Sequence, residues 1–218
     1  MSMNDLFLSV QAVPDPVSIR RLAGLPAELL DEEVVEYALQ RQRARAGNEV
    51  LPLQMQRVIS LGWGLRAGEQ FDFHELQDAD EARLLSRFFA AIPAQTRLVV
   101  WSEQEASSAL LSLRALLAGV AGAHWQESVA QGLDLQASLG LPEPLPLAQA
   151  LCLTLGLAEL GVGEAGSSWR AAVTALMWHR FQRLGGVAPE ALALTAQALR
   201  AAFARTPVLA PLSAGLDD

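Results

Sequence analysis

Residues 56–66 read Gln-Arg-Val-Ile-Ser-Leu-Gly-Trp-Gly-Leu-Arg, and residues 69–76, after Ala67-Gly68, read Glu-Gln-Phe-Asp-Phe-His-Glu-Leu. In the first stretch Val58, Ser60, Gly62 and Gly64 alternate with Ile59, Leu61, Trp63 and Leu65, the period-two pattern of a strand. The second is also strand-like, and so short a connection between two strands predicts a β-hairpin. Upstream, Leu6–Val13 (LFLSVQAV) reads as another strand, stopped by the turn signal Pro14-Asp15-Pro16.

The segments around these strands carry helical signals. Leu29–Arg45 has Asp31, Glu32 and Glu33 in its first turn and Arg41, Arg43 and Arg45 in its last, as the helix dipole favours. Asp78 or Asp80 is placed to cap a helix whose apolar stripe is Leu84, Leu85, Phe88, Phe89 and Ile92. Arg97–Trp101 reads as a short buried strand, Glu105–Ala118 as a helix, and Gly132–Leu135 as a possible last strand. A helix from Leu147 to Leu155, a helix through Trp169, Val173, Leu176 and Leu184, and a helix opened by Pro189 complete the order. Strands interleaved with helices predict an α/β fold, a mixed sheet flanked by helices. The expected organisation is one domain over residues 1–206 and a loose tail over 207–218.

Composition narrows the function classes. The chain of 218 residues is 51% hydrophobic, enough for one buried core. No apolar run approaches the ~20 residues of a membrane helix, and the first residues have neither a basic n-region nor a long apolar h-region, so no signal peptide is expected. The lone cysteine, Cys152, excludes an internal disulfide and any multi-cysteine metal site. Together these predict a cytoplasmic protein without membrane contact. The net charge is −8, and all cationic side chains other than His are Arg, with no Lys. Such a surface repels nucleic acid unless a basic patch or bound cations offset it.

Several motifs in order resemble one family, the predicted 3′–5′ exonucleases related to the proofreading domain of family-B DNA polymerases. These are Val13-Pro14-Asp15 after the first strand, Asp31-Glu32-Glu33-Val34, Leu51-Pro52-Leu53 with Arg57-Val58, Asp80-Glu81-Ala82 with Arg87-Phe88-Phe89, and Val99-Val100-Trp101 with Arg114-Ala115-Leu116. Asp134-Leu135 and Arg180-Phe181-Gln182 continue the series, so that the likeness spans Leu6–Gly186. The resemblance implies an RNase H-like five-stranded sheet and two-metal phosphodiester hydrolysis with Mg²⁺ or Mn²⁺. In such a site two ions clamp the attacking and leaving oxygens and need hard anionic oxygen ligands.

The resemblance also places the family's ligands: an Asp and a Glu on the first strand, an Asp from the second motif, and an Asp from the last helix. This sequence has Ser9, Gln11, Ser107 and Arg170 there. No carboxylate remains, so no metal cofactor and no catalytic residue is expected. The glycine run of the second motif is replaced by Glu103-Gln104-Glu105. Three readings stay open. A non-catalytic protein would act by binding or assembly, through a protein partner or self-association rather than nucleic acid. An active exonuclease would need displaced carboxylates such as Glu103, Glu105 or Asp134. A purely structural protein would keep only the fold. Weak single-stranded nucleic-acid binding would fall to Arg170, Arg41, Arg43 and Arg45, although three arginines closing a helix are ordinarily a solvated end that satisfies its dipole. Trp101 and Trp178 read as core, and His74, His124 and His179 show no metal-binding spacing.

Overall fold

The computed structural model describes residues 3–101, 105–140, 143, 145–147, 149–151 and 166–216. Among these, β1 (Asn4–Pro14), β2 (Gln56–Ala67), β3 (Gln70–Gln77), β4 (Thr96–Val100) and β5 (Leu133–Asp134) form one mixed sheet in the order β3-β2-β1-β4-β5. β2 runs antiparallel to both β1 and β3, and β4 is parallel to β1 and β5. The strand carrying Ser9 is therefore central, and the sheet is the helix-flanked, RNase H-like α/β arrangement that the resemblance implied.

Alternation along β1 sends its side chains to two cores. Leu6 and Leu8 join Leu61, Trp63, Leu84, Phe88 and Trp125 on one face, against α3 (Glu81–Ala90), α4 (Glu105–Ala118) and α5 (Trp125–Ala130). Phe7 joins Phe71 and Trp178 on the other, with ring centroids 5.6 Å apart between Phe7 and Trp178. That second face is covered by α7 (Ser167–Leu184), which follows the four-residue α6 (Leu135–Ser138), and by α8 (Pro189–Arg205). Trp101 and Trp178 are both core, as read. Asp5, buried in the sheet, accepts from Arg66 at 2.8 Å and Arg97 at 2.6 Å, so its charge is met on both oxygens.

The structure departs from the sequence reading at three places. A short helix, α1 (Pro16–Ala23), precedes α2 (Asp31–Ala46): Asp15 caps it by accepting from the Val17 amide, Pro16 opens it, and Gly24 closes it in the left-handed region at φ 64°. Val58 does not share a face with Ser60, Gly62 and Gly64. Gln11 pairs with Ser60 but Ala12 pairs with Val58, so Ile59 is an extra residue and the bulge moves Val58 to the Leu61 side. Finally, Pro207–Leu216 is not a loose tail. It is a 3₁₀ segment that buries Leu209, Leu212 and Leu216, while Arg180 and Arg200 donate to the carbonyls of Gly215 and Leu216.

His179, beside Arg180, is almost fully buried, and its Nδ1 has no hydrogen-bond partner among the described residues. Burial, then the charges of Arg183, Arg180 and Arg200, push its pKa from 6.5 down to about 4. The unfolded chain therefore takes up a proton below pH 6.5 that the folded chain refuses, and stability falls as pH drops from 6.5 toward 4. By pH 5 the expected loss is about 1–2 kcal/mol. Urea unfolding at pH 7.5 and pH 5 should show it, and His179→Leu should flatten this part of the profile.

Candidate functional site

The face of β1 turned toward α7 carries Phe7, then Ser9, then Gln11. Ser9 is 2% exposed and pairs with Gly62, and half-buried Gln11 pairs with Ser60. The first turn of α7 lies directly on β2 at this point. Ser60 and Ser167 share a buried hydrogen bond of 2.9 Å between their hydroxyls. A Cβ at Gly62 would stand 2.0 Å from the Ser167 carbonyl carbon, so only glycine permits this approach.

The start of α7 is held by a carboxylate from β3. Glu75 accepts from the Ser168 hydroxyl at 2.7 Å and from the Ser168 amide at 3.3 Å. A carboxylate here satisfies otherwise orphaned amides and faces the positive end of the helix dipole. Burial would raise the Glu75 pKa, but the Ser168 hydrogen bonds outweigh it and leave the carboxyl below its ordinary value. Gly166 makes room for the cap, since a Cβ there would lie 2.6 Å from Glu75 Oε2.

Two of the positions assigned by resemblance, Gln11 and Ser107, line different openings. Gln11 lines an opening of about 510 Å³ with Arg57, Ser60 and Gln77. Ser107, on α4, lines a different groove of about 490 Å³ with Val10, Ala12 and Leu110, on the opposite side of β1. Arg170 is exposed on α7. Among the described residues, no hydrogen bond or ion pair joins Ser9, Gln11, Ser107 and Arg170. Glu103 lies outside the described residues, as does the side chain of Glu105. Asp134 caps α6 by accepting from the Ala137 amide. Of the helix-end arginines, Arg43 pairs with Glu36 and Glu49, Arg41 donates to the Tyr37 hydroxyl, and Arg45 is exposed.

Carboxylates at this end of the sheet are committed elsewhere. Asp78 bonds Arg83, which with the Asp80 amide holds its pKa at about 2. Asp15 and Glu81 both bind Arg114: its Nη1 donates to Asp15 at 2.9 Å, its Nε donates to both Glu81 oxygens at 2.9 Å, and Glu81 also accepts from the Val58 amide at 2.7 Å. Burial would raise the Asp15 pKa, but hydrogen bonds from Ser18 and Arg114 and the Arg114 charge keep it lowered. Asp15, Val58, Glu81 and Arg114 each belong to a motif quoted above, and they meet at one point that ties β1, β2, α3 and α4. Sequence reasoning missed this cluster because each residue was read within its own segment.

A two-metal centre needs several anionic oxygens converging on the ions. The described residues at the aligned positions do not fit it: Ser9 and Gln11 are neutral, Ser107 is on another face, Arg170 is cationic, and Glu75, at the start of α7, is used as a helix cap. Among the described residues, no group of three His, Cys, Asp or Glu could hold a metal ion, and no helix is long and apolar enough to cross a membrane. No curated protein and no solved structure matches the chain. Residues 48–135, from the end of α2 to β5, a narrower span than Leu6–Gly186 that includes Glu81, Ser107 and Arg114 but not Ser9, Gln11 or Arg170, match the family of predicted 3′–5′ exonucleases related to the exonuclease domain of PolB.

Proposed function

We propose that this chain is an exonuclease-like protein that acts by binding or assembly and does not cleave nucleic acid. The carrying observation is the inner end of β1, where Ser9 and Gln11, which the resemblance aligns with carboxylates, lie beneath a helix start that is packed flush on Gly62. Neutral hydroxyl and amide oxygens do not offset the charge of two divalent ions. The folded frame is retained through Asp15, Glu81 and Arg114, which supports a role that needs the shape of the domain and not its chemistry. With a net charge of −8 and no Lys, a protein partner or a second copy suits the surface better than a polyanion.

The test is incubation of a 5′-labelled single-stranded oligonucleotide with the purified protein and Mg²⁺ or Mn²⁺. The labelled strand should keep its full length, and calorimetric titration with Mn²⁺ should show no stoichiometric binding at micromolar affinity. Metal-dependent shortening from the 3′ end, lost in Glu103→Gln with Glu105→Gln, would overturn the proposal in favour of displaced metal ligands.

A further inference from the structure

The helical segment between β1 and β2 carries a cavity of its own. α1, α2 and the chain at residues 51–55 enclose about 160 Å³. Its apolar lining includes Ile19, Ala38 and Leu51, all buried, with Leu22 and Tyr37 more exposed. A space of this size holds one ring, since an apolar cavity of ~150 Å³ takes up benzene.

One wall is cationic. Arg41 and Arg45 lie one helical turn apart on α2 and both line the cavity, with Gln42 between them. Arg43 is spent on Glu36 and Glu49. Among the described residues Arg41 donates only to the Tyr37 hydroxyl, at 3.3 Å, and Arg45 has no carboxylate partner. In a chain with 24 acidic and 16 basic residues, two guanidinium groups with no carboxylate partner among the described residues stand beside a ring-sized hollow. Guanidinium groups bind phosphate through paired, charge-assisted hydrogen bonds. We propose that this cavity binds a small phosphate monoester carrying one aromatic ring, with the ring against Ile19, Tyr37 and Leu51 and the phosphate on Arg41 and Arg45. The site is separate from the inner end of β1 and does not depend on whether that end cleaves nucleic acid.

Calorimetric titration of the full chain with phenyl phosphate at low salt tests the proposal, with inorganic phosphate titrated in parallel. Phenyl phosphate should bind at one site, about tenfold more tightly than inorganic phosphate because ring burial adds to the ionic contact. Both side chains are exposed, so Arg41→Gln with Arg45→Gln should keep the wild-type circular dichroism and melting temperature. This double variant should weaken phenyl phosphate binding at least about tenfold. Absence of binding, equal affinity for inorganic phosphate, or unchanged affinity in the double variant would each overturn it.

Discussion

Replacing Arg114 with Ala should lower folding stability by about 3 kcal/mol, the scale for removing one partner of a buried ion pair. Arg114 is largely buried, with 11% of its side chain exposed, and it faces Asp15 at 7% and Glu81 at 13%. Burial alone would lower its pKa, but the hydrogen bonds and charges of Glu81 and then Asp15 outweigh this and raise it, so the guanidinium is fixed as a cation. Its removal leaves two carboxylates in a poorly solvated place, with the Val58 amide still donating to Glu81 and the Val17 amide and Ser18 hydroxyl still donating to Asp15. The loss should depend on pH. In the wild type the Asp15 pKa is lowered, so the stability it contributes is present above its unfolded value of about 3.8 and is lost as pH falls through the folded value. In Arg114→Ala the lowering supplied to Asp15 by the cation is gone, so its carboxyl should keep the proton to higher pH than in the wild type. The gap between wild type and variant should therefore be widest near pH 7 and narrow toward pH 4. Arg114→Lys should recover only part of the loss, because an ammonium cannot span both partners as the guanidinium does. Urea unfolding of the three proteins at several pH values measures all of this. An unchanged midpoint in Arg114→Ala at pH 7 would mean that the cluster contributes nothing to stability.

The same cluster explains which parts of the fold could be read from the sequence. β2 and β3 were legible because period-two alternation around Ala67-Gly68 is a local pattern. α3 was legible because Asp80 caps it and its stripe from Leu84 to Phe89 is buried as a face. α1 was not, because eight residues between Pro16 and Ala23 show too few turns for a period to emerge. The bulge at Ile59 was not legible either, since one extra residue is visible only against the partner strand. The segment Pro207–Leu216 reads as loose because it lies at the chain end, whereas what holds it are carbonyl contacts to Arg180 and Arg200 on the two preceding helices.

The candidate site was legible in a different sense. The absence of carboxylates at Ser9 and Gln11 is a property of residue identity and needed no coordinates. What occupies the space could not be read in advance. The hydroxyl pair of Ser60 and Ser167 joins residues 107 positions apart, and the Glu75 cap on α7 joins residues 93 apart. Convergence of Ser107 with Ser9 was carried over from the resemblance, and the parity of β1 separates them: Val10 and Ala12 share the groove with Ser107, and Ser9 and Gln11 turn the other way.

Gly62→Ala should be the most damaging single methyl addition in the sheet. The new Cβ would stand 2.0 Å from the Ser167 carbonyl carbon, 2.2 Å from its oxygen and 2.2 Å from the Ser168 nitrogen. All three are backbone atoms of the first turn of α7, so no side-chain rotation relieves the clash. The helix start must move off β2, and three contacts would loosen with it: the Ser60–Ser167 bond and both Ser168 bonds to Glu75. Overpacking of this kind costs about 3 kcal/mol, and more where backbone must shift. For a chain of this length that corresponds to a melting temperature lower by about 6–12 °C. Gly64 supplies the control. A Cβ there would meet Phe73, its cross-strand partner, at 2.5 Å, but the contact is with a ring edge that can turn aside. Gly64→Ala should therefore cost clearly less than Gly62→Ala, although both add one methyl to the same face of the same strand. Thermal unfolding of the two variants beside wild type decides the matter. Equal melting temperatures for Gly62→Ala and wild type would show that α7 does not rest on β2 as described.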